Sequence, residues 1–128
     1  DNLQPVKGWI VWDKKTGDNS YGDGELAWTS FNRPLKIFSK FWSGAHAKEQ
    51  TQEDRVHPTQ KPVALYTWLL EKYAKKGDRI LDTHLGSGSI AIACHNLGYD
   101  LTGYELDPDY YSAARKRLEQ HQKQLRMF

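Results

Sequence analysis

Two glycines between a predicted strand and a predicted helix are the residues best suited to hold a ligand. Gly86 and Gly88 lie in the segment LDTHLGSGSIAIA, which passes from an apolar strand pattern to an apolar helix pattern. Glycine permits a sharp turn and lets a ligand approach the backbone closely. The N–H groups at the start of the following helix can then bind hydroxyl oxygens or negative charge. The segment therefore predicts a ligand-binding turn.

An acidic residue follows this turn at a spacing typical of a β-α-β unit. Glu105 ends the next predicted strand, 17 positions after Gly88. Its carboxylate is then expected beside the glycine turn, where it can accept two hydrogen bonds from a ribose diol. The prediction is a nucleoside-containing ligand. Two alternatives stay open: a plain β-α-β turn with a solvated glutamate, and a dinucleotide site, because Gly86-x-Gly88-x-x-Ala91 also fits the fingerprint GxGxxG/A.

A third segment narrows the choice among these ligands. His57 to Pro62 reads HPTQKP and stands just before the helix that leads into the glycine strand. The order HPTQKP, helix, ILD-x-x-LGSG and GYELD resembles the permuted (beta) class of S-adenosylmethionine-dependent DNA amino-methyltransferases, which act on adenine N6 or cytosine N4. In that family the cofactor half follows the catalytic half. The resemblance reaches back to WIVWDKK and ELAWTSF and covers most of the chain.

The resemblance implies S-adenosylmethionine as the cofactor and assigns roles to three segments. HPTQKP corresponds to the motif that touches the methionine end, LDTHLGSG to the glycine motif, and GYELD to the acidic position that holds the ribose. Asp82 is expected at the methionine ammonium group, and the helix start near Lys61 at the methionine carboxylate. The implied cofactor residues are Thr59, Lys61, Pro62, Asp82, Thr83, Gly86, Ser87, Gly88 and Glu105.

One position departs from the family pattern. Many relatives read D-P-F before the glycines, whereas this chain reads Asp82-Thr83-His84. His84 therefore replaces an aromatic residue that usually packs near the cofactor. A packed or exposed turn histidine is favoured here over a catalytic one.

The family's catalytic motif, D/N/S-P-P-Y/F/W, has no counterpart, because the chain contains no Pro-Pro pair. The catalytic residues are therefore unknown. In the permuted order this motif lies before residue 1, and the chain has no initiator Met, so we expect it to begin partway through a longer protein. Strands 4 and 5 of the methyltransferase sheet are also expected to be absent. The exposed strand edge then predicts poor folding alone, homo-oligomerisation or strand exchange.

The function that the resemblance implies is methyl transfer to the exocyclic amino group of a base in double-stranded DNA, with adenine the favoured target. The alternative is a catalytically inactive fragment or binding module that needs a second chain to supply the catalytic motif. A nicotinamide-dependent oxidoreductase is disfavoured, because only 40 residues follow Gly88 and leave no room for a second mononucleotide half.

The resemblance implies an α/β fold that forms part of a Rossmann-like class I methyltransferase sheet. We predict three regions. Residues 1–42 are aromatic-rich strands, with a hairpin of Gly8–Trp12 and Leu26–Ser30 and a third strand at Leu35–Phe38. Residues 43–56 form a polar loop, which is either a solvated linker or a target-recognition segment. Residues 57–128 form the cofactor-binding β-α-β region. The candidate DNA-reading residues of the loop are Lys48, Gln50, Gln52 and Arg55.

Within residues 57–128 the pattern predicts alternating helices and strands. Pro62 is expected in the first turn of a helix whose apolar residues run to Tyr73. A strand follows at Arg79–Asp82, then a helix at Ser89–Leu97, a strand at Asp100–Glu105 and a helix from Pro108 to about Leu125. The expected buried face of the last helix consists of Tyr111, Ala114, Leu118 and Leu125.

Composition excludes several other classes of protein. The 128 residues carry a formal net charge of +2 and a single cysteine, Cys94, which excludes an intramolecular disulfide and a CxxC zinc site, so no metal site is predicted. Cys94 is interpreted as a core residue. No apolar run reaches the length of a membrane span, and the expected location is the cytoplasm, for a protein that is either bacterial or phage-encoded.

For two features near the C-terminus, a structural interpretation is favoured over a functional one. The run Arg115-Lys116-Arg117 is interpreted as a solvated helix face, although a local DNA-facing basic patch would have to come from such a cluster. The C-terminal Gln124–Phe128 resembles the short peptide by which bacterial DNA enzymes bind the replication sliding clamp. The favoured alternative is a helix end that folds Leu125 and Phe128 onto the core.

Overall fold

A computed structural model describes residues 8–17, 22–42, 56, 57 and 59–126. The chain divides into two compact units, Asp1–Gln50 and Thr51–Phe128. Most of the polar loop at 43–56, including Lys48, Gln50, Gln52 and Arg55, lies outside the described residues. The proposed division into residues 1–42, 43–56 and 57–128 therefore stays a prediction.

The first unit contains a three-stranded sheet in the order β2-β1-β3. The strands are β1 (Ile10–Asp13), β2 (Gly24–Ala27) and β3 (Lys36–Ser39). β1 pairs antiparallel with β2, which confirms the predicted hairpin pairing, although β2 begins and ends earlier than Leu26–Ser30. β1 pairs in parallel with β3, so the chain crosses over between β2 and β3.

Tryptophan side chains form the centre of this unit. Ile10, Trp12 and Trp42 are buried, and the Trp12 and Trp42 ring centroids lie 6.4 Å apart. Trp12 is therefore a core residue of this sheet. Trp9 and Trp28 are half-buried.

The second unit is built on a β-α-β segment. β4 (Arg79–Asp82) and β5 (Asp100–Gly103) pair in parallel, with Asp82 opposite Gly103. The helix α2 (Ser89–Leu97) connects them. The sequence predicts that Glu105 ends this strand. In the structure β5 ends at Gly103, so Glu105 lies two residues beyond it.

Two further helices complete the second unit. α1 (Val63–Tyr73) begins one residue after Pro62, which has an extended backbone and caps the helix instead of lying in its first turn. α3 (Pro108–Arg126) closely matches the predicted helix. No helix among the described residues is both long enough and apolar enough to span a membrane.

The core of the second unit lies between α1, α2 and the two strands. Leu70, Ala93 and Cys94 are buried at its centre. The partly buried apolar residues packed against them are Val63, Tyr66, Ala74, Ile80, Ile90, Tyr99 and Leu101. Cys94 is therefore a core residue, as predicted, and burial raises the pKa of its thiol.

The predicted apolar face of α3 is only partly correct. Ala114 is buried, but Tyr111 is 40% exposed and Leu125 is 52% exposed. The expectation that Leu125 folds onto the core is wrong. Helical spacing identifies which residues share a face, but not whether another element covers that face along its whole length.

Two left-handed glycines at the two ends of α2 allow a matched test of the packing. Gly88 and Gly98 have φ values of 78° and 79°. A Cβ at Gly98 meets nothing within 4 Å, whereas one at Gly88 lies 3.0 Å from the Ala114 Cβ. Gly98→Ala should lower the free energy of unfolding by about 1–2 kcal/mol through backbone strain alone. Gly88→Ala should cost about 1–3 kcal/mol more through overpacking against α3.

Urea unfolding of the two variants beside the wild type measures this difference. Equal losses of stability would contradict the conclusion that the approach of α3, as well as backbone conformation, requires a glycine at position 88.

Candidate ligand-binding site

The glycine turn connects β4 to α2 and has the sharp geometry that the sequence predicts. Gly86 and Gly88 both have positive φ, 58° and 78°. The Gly88 N–H donates to the Leu85 carbonyl at 3.1 Å, and the Gly88 carbonyl accepts from the Ile92 N–H at 3.3 Å. Among the described residues, the atoms nearest to a Cβ at Gly86 would be those of the His57 ring, at an ordinary contact distance of 3.9 Å, so Gly86 is required by its conformation. Gly88 is required by both its conformation and the nearness of α3.

Glu105 lies beside this turn, where the β-α-β spacing predicts it. One carboxylate oxygen accepts the Gly86 N–H at 2.8 Å, and the other accepts the Asp107 N–H at 3.0 Å. These N–H groups, that of Asp107 first and that of Gly86 second, lower the pKa of the Glu105 carboxyl from its ordinary value. A carboxylate has about four acceptor positions. Glu105 therefore remains able to accept hydrogen bonds from a ligand diol.

Backbone hydrogen bonds hold the two segments of this site in register. The Leu85 N–H donates to the Tyr104 carbonyl at 2.8 Å, and the Tyr104 N–H donates to the Asp82 carbonyl at 2.9 Å. They continue the β4–β5 pairing beyond the ends of both strands. The glycine turn and Glu105 are consequently fixed relative to each other by backbone as well as side-chain contacts.

The HPTQKP segment reaches the glycine turn through His57. The His57 ring lies over Gly86, and its centroid is 4.3 Å from that of Tyr110. Its Nδ1 atom accepts the Thr59 N–H at 3.2 Å, which orders the segment locally. Three segments that are distant in sequence therefore meet at one place: HPTQKP, the glycine turn and the start of α3.

Two other residues of HPTQKP hold the segment in the fold. Gln60 is buried, and its side-chain oxygen accepts the Val56 N–H at 2.8 Å. Pro62 is fully buried at the start of α1, whereas Thr59 is exposed and Lys61 is half-buried. Sequence reasoning misses the role of Gln60, because a polar residue in a polar segment gives no sign that it is buried.

The carboxyl end of β4 carries the remaining candidate residues. Asp82 is half-buried and accepts the His84 N–H at 2.9 Å. Thr83 and His84 are exposed, with the Thr83 hydroxyl 2.9 Å from His84 Nδ1. His84 is thus the exposed turn residue that the sequence favours. No group of three or more metal-ligating side chains is found in the described part of the chain.

Arg117 contradicts the interpretation of residues 115–117 as a solvated face. Its Nη1 atom donates to the Ser89 hydroxyl at 2.8 Å and to the Ser87 carbonyl at 3.2 Å. The neighbouring Arg115 and Lys116 are exposed. Sequence reasoning could have found this contact, because Arg117 lies one helical turn after Ala114 and so shares its inward face.

Comparison with known proteins identifies the family. A family model described as DNA methylase (N6_N4_Mtase) matches residues 3–116. The chain belongs to this DNA methylase family. The match confirms the resemblance carried by HPTQKP, LDTHLGSG and GYELD.

Three curated relatives of the chain are type II methyltransferases from bacteria. The chain is 32% identical over 81 residues to M.HpaI of Haemophilus parainfluenzae, which is 63% of this chain and 26% of the relative. It is 37% identical over 84 residues to M2.DpnII of Streptococcus pneumoniae, covering 66% and 31%. It is 32% identical over 111 residues to M2.LlaDCHI of Lactococcus lactis subsp. cremoris, covering 85% and 40%. The chain thus spans well under half the length of these relatives.

Solved structures confirm an α/β fold of the same kind. The crystal structure of the M1.HpyAVI-SAM complex matches with a TM-score of 0.62 and 25% identity, covering 88% of this chain and 62% of that one. A second crystal structure of M1.HpyAVI matches with a TM-score of 0.59 and 26% identity, covering 89% and 59%. The absence of sheet strands 4 and 5 stays a prediction.

The Glu105 contacts predict a pH-dependent contribution to stability. The folded-state pKa of Glu105 lies below its ordinary value of 4.5. The charged carboxylate therefore stabilises the fold above that pH, and the contribution is lost as the pH falls through the folded-state pKa. Wild type should be more stable than Glu105→Gln at pH 7, and the difference should shrink on acidification.

Urea unfolding at several pH values between neutrality and about pH 3 measures this difference. Glu119→Gln, which alters an exposed carboxylate on α3, is the control and should leave stability nearly unchanged. A constant difference between wild type and Glu105→Gln at all pH values would show that the carboxylate charge does not hold the turn.

Proposed function

We propose that this chain binds S-adenosylmethionine and forms part of an enzyme that methylates the exocyclic amino group of a base in double-stranded DNA, with adenine the favoured target. The observation that carries the proposal is the convergence of His57, Gly86 and Glu105 at the carboxyl end of β4. In open α/β sheets, ligands bind outside the carboxyl ends of the strands. The relatives' names support the reaction class.

The described residues suit the polar groups of this cofactor. Glu105 retains acceptor positions for a ribose diol beside the N–H groups of the turn. The first turn of α1 contains no acidic residue, and its N-cap, Pro62, makes no side-chain capping hydrogen bond. The N–H groups of this first turn, together with Lys61, are therefore suited to bind the methionine carboxylate. Asp82 is suited to the methionine ammonium group.

Thr83, Ser87 and the two glycines complete the proposed contacts at the turn. Gly86 allows a ligand to approach the backbone because it has no Cβ, whereas Gly88, which is buried against Ala114, would act by shaping the turn. Thr83 is exposed at the end of β4, whereas the Ser87 side chain is buried and contacts Ser89 at 3.1 Å. Ser87 would therefore contact the cofactor through its backbone. Thr59, from HPTQKP, is exposed, and its N–H donates to His57 Nδ1.

The chemistry needs groups that this chain does not supply. S-adenosylmethionine, when bound, provides an electrophilic methyl group. A base must be rotated out of the duplex and held so that its amino nitrogen faces that methyl group. The chain has no Pro-Pro pair and hence no D/N/S-P-P-Y/F/W motif to hold the base. The alternative function is a catalytically inactive cofactor-binding module that needs a second chain to supply this motif.

Two further partners remain proposals. The 43–56 loop is proposed to read DNA, and it lies almost wholly outside the described residues. The C-terminal Gln124–Phe128 is proposed to bind a sliding clamp, and the exposure of Leu125 leaves one apolar anchor accessible. Met127 and Phe128 lie outside the described residues.

Calorimetric titration with S-adenosylmethionine tests the cofactor site. The wild-type chain should show saturable binding and should not bind NAD. Glu105→Ala should weaken binding by about a hundredfold or more, because two hydrogen bonds to a charged acceptor are lost. Glu119→Ala is the matched control, since it removes an exposed carboxylate from α3. A folded wild-type chain that does not bind S-adenosylmethionine would overturn the proposal.

Self-association is proposed through the open edge of the second sheet. Among the residues that the structure describes, β4 pairs with β5 alone. Leu81, Tyr104 and Leu106 are 63%, 60% and 100% exposed near that sheet. An unpaired strand edge with apolar neighbours favours pairing with another chain.

Light scattering after size-exclusion chromatography should therefore show a concentration-dependent oligomer. Leu81→Lys should shift it toward monomer, whereas Leu26→Lys, at a similarly exposed position of the first unit, should not. A monodisperse wild-type monomer at every concentration would contradict this proposal.

A further inference from the structure

We propose that Arg117 is a positioning residue for the cofactor: its guanidinium holds the Gly86–Ser87–Gly88 turn in the shape that binds S-adenosylmethionine. This inference rests on the proposed function, because it concerns the same site. Arg117 lies on α3 and contacts this segment through the Ser87 carbonyl and the Ser89 hydroxyl.

One nitrogen of Arg117 contacts three oxygen atoms of this segment. Nη1 donates to Ser89 Oγ at 2.8 Å and to the Ser87 carbonyl at 3.2 Å, and it lies 3.4 Å from Ser87 Oγ. The two hydroxyls are 3.1 Å from each other. Both serines are nearly inaccessible to solvent, at 5% and 2% exposure. Hydrogen bonds to a charged donor in such a place are stronger than those on an open surface.

Arg117 and Glu105 bind the turn at two different peptide groups. Glu105 accepts the N–H of Gly86, and Arg117 donates to the carbonyl of Ser87. The residues on either side of Ser87 are glycines with positive φ, and glycine has more accessible backbone conformations than any other residue. Without two fixed points, the N–H groups of this turn would have to be ordered when the ligand binds. That ordering would weaken binding.

The helix α3 also constrains the turn by packing. Ala114 lies one helical turn before Arg117, and its Cβ would be 3.0 Å from a Cβ at Gly88. A shift of α3 would therefore change both the packing and the hydrogen bonds of the turn. This pair of contacts explains why a charged residue lies on the inward face of α3 while Arg115 and Lys116 are exposed.

Cofactor affinity and stability together separate a positioning role from a general supporting role. Arg117→Met removes the hydrogen bonds and keeps much of the apolar stem. Arg117→Lys keeps the charge and one donor group but not the planar fork. Ile80→Val is the stability-matched control, since Ile80 packs against the core cluster, and Lys123→Met is the control for removing a positive charge from α3.

Calorimetry with S-adenosylmethionine should show about a tenfold loss of affinity in Arg117→Met. Arg117→Lys should recover part of it, and both controls should bind like the wild type. In the absence of ligand, the amide NMR signals of Gly86 and Gly88 should move in Arg117→Met and stay in place in Ile80→Val.

Two outcomes would overturn the inference alone: wild-type affinity in Arg117→Met, or an equal loss of affinity in Arg117→Met and Ile80→Val at equal stability. Failure of the folded wild-type chain to bind S-adenosylmethionine would instead overturn the proposed function, and this inference with it. The wild-type titration therefore distinguishes the two failures.

Discussion

The hydrogen bond from the Gly86 N–H to the Glu105 carboxylate joins the two halves of the β-α-β unit at the place where a ligand can bind. It fixes the peptide that precedes a glycine with positive φ, and the same carboxylate also accepts the Asp107 N–H. Because these two bonds use only part of the acceptor capacity of a carboxylate, Glu105 can order the turn and still receive a ligand. Its structural role and its proposed binding role therefore belong to one charge state, the ionised one.

The turn depends on contacts from three directions, and this explains its glycines. Glu105 lies on the β5 side, the His57 ring lies over Gly86, and Ala114 approaches Gly88 from α3. A side chain at either glycine would meet backbone strain, and at Gly88 also a neighbouring helix. The closeness of these elements requires small residues at the turn.

The sequence allowed the local features of the second unit to be predicted well, because each depends on nearby residues. The strand at Arg79–Asp82 and the helix at Ser89–Leu97 are bounded by glycine or other turn residues. At these residues the spacing of apolar positions changes from that of a strand to that of a helix, or the reverse. The position of Glu105 beside the turn follows from β-α-β geometry alone. The family was also predictable, since three motifs occur in a fixed order and the family match over residues 3–116 confirms it.

What could not be predicted depends on contacts between distant segments. Arg117 is adjacent to two exposed basic residues, and charge alone does not show that its head group reaches Ser87 and Ser89. The parallel pairing of β3 with β1 was missed because four-residue strands do not specify a partner. Leu125 was wrongly expected in the core, because a helical face is read from spacing whereas its covering depends on another element.

The described contacts of the proposed cofactor site lie between His57 and Arg117, within the second unit. The proposed cofactor binding and the proposed methylation of a base therefore depend on different features: the first is proposed to depend on Glu105, the glycine turn and their supports, whereas the second also needs a segment that grips the base. A ligand that binds only the folded state stabilises it by an amount that grows with its concentration relative to Kd. Charged side chains order the glycine turn from two elements, because Glu105 follows β5 and Arg117 belongs to α3. Cofactor binding at the turn should thus be coupled to the stability of the whole second unit.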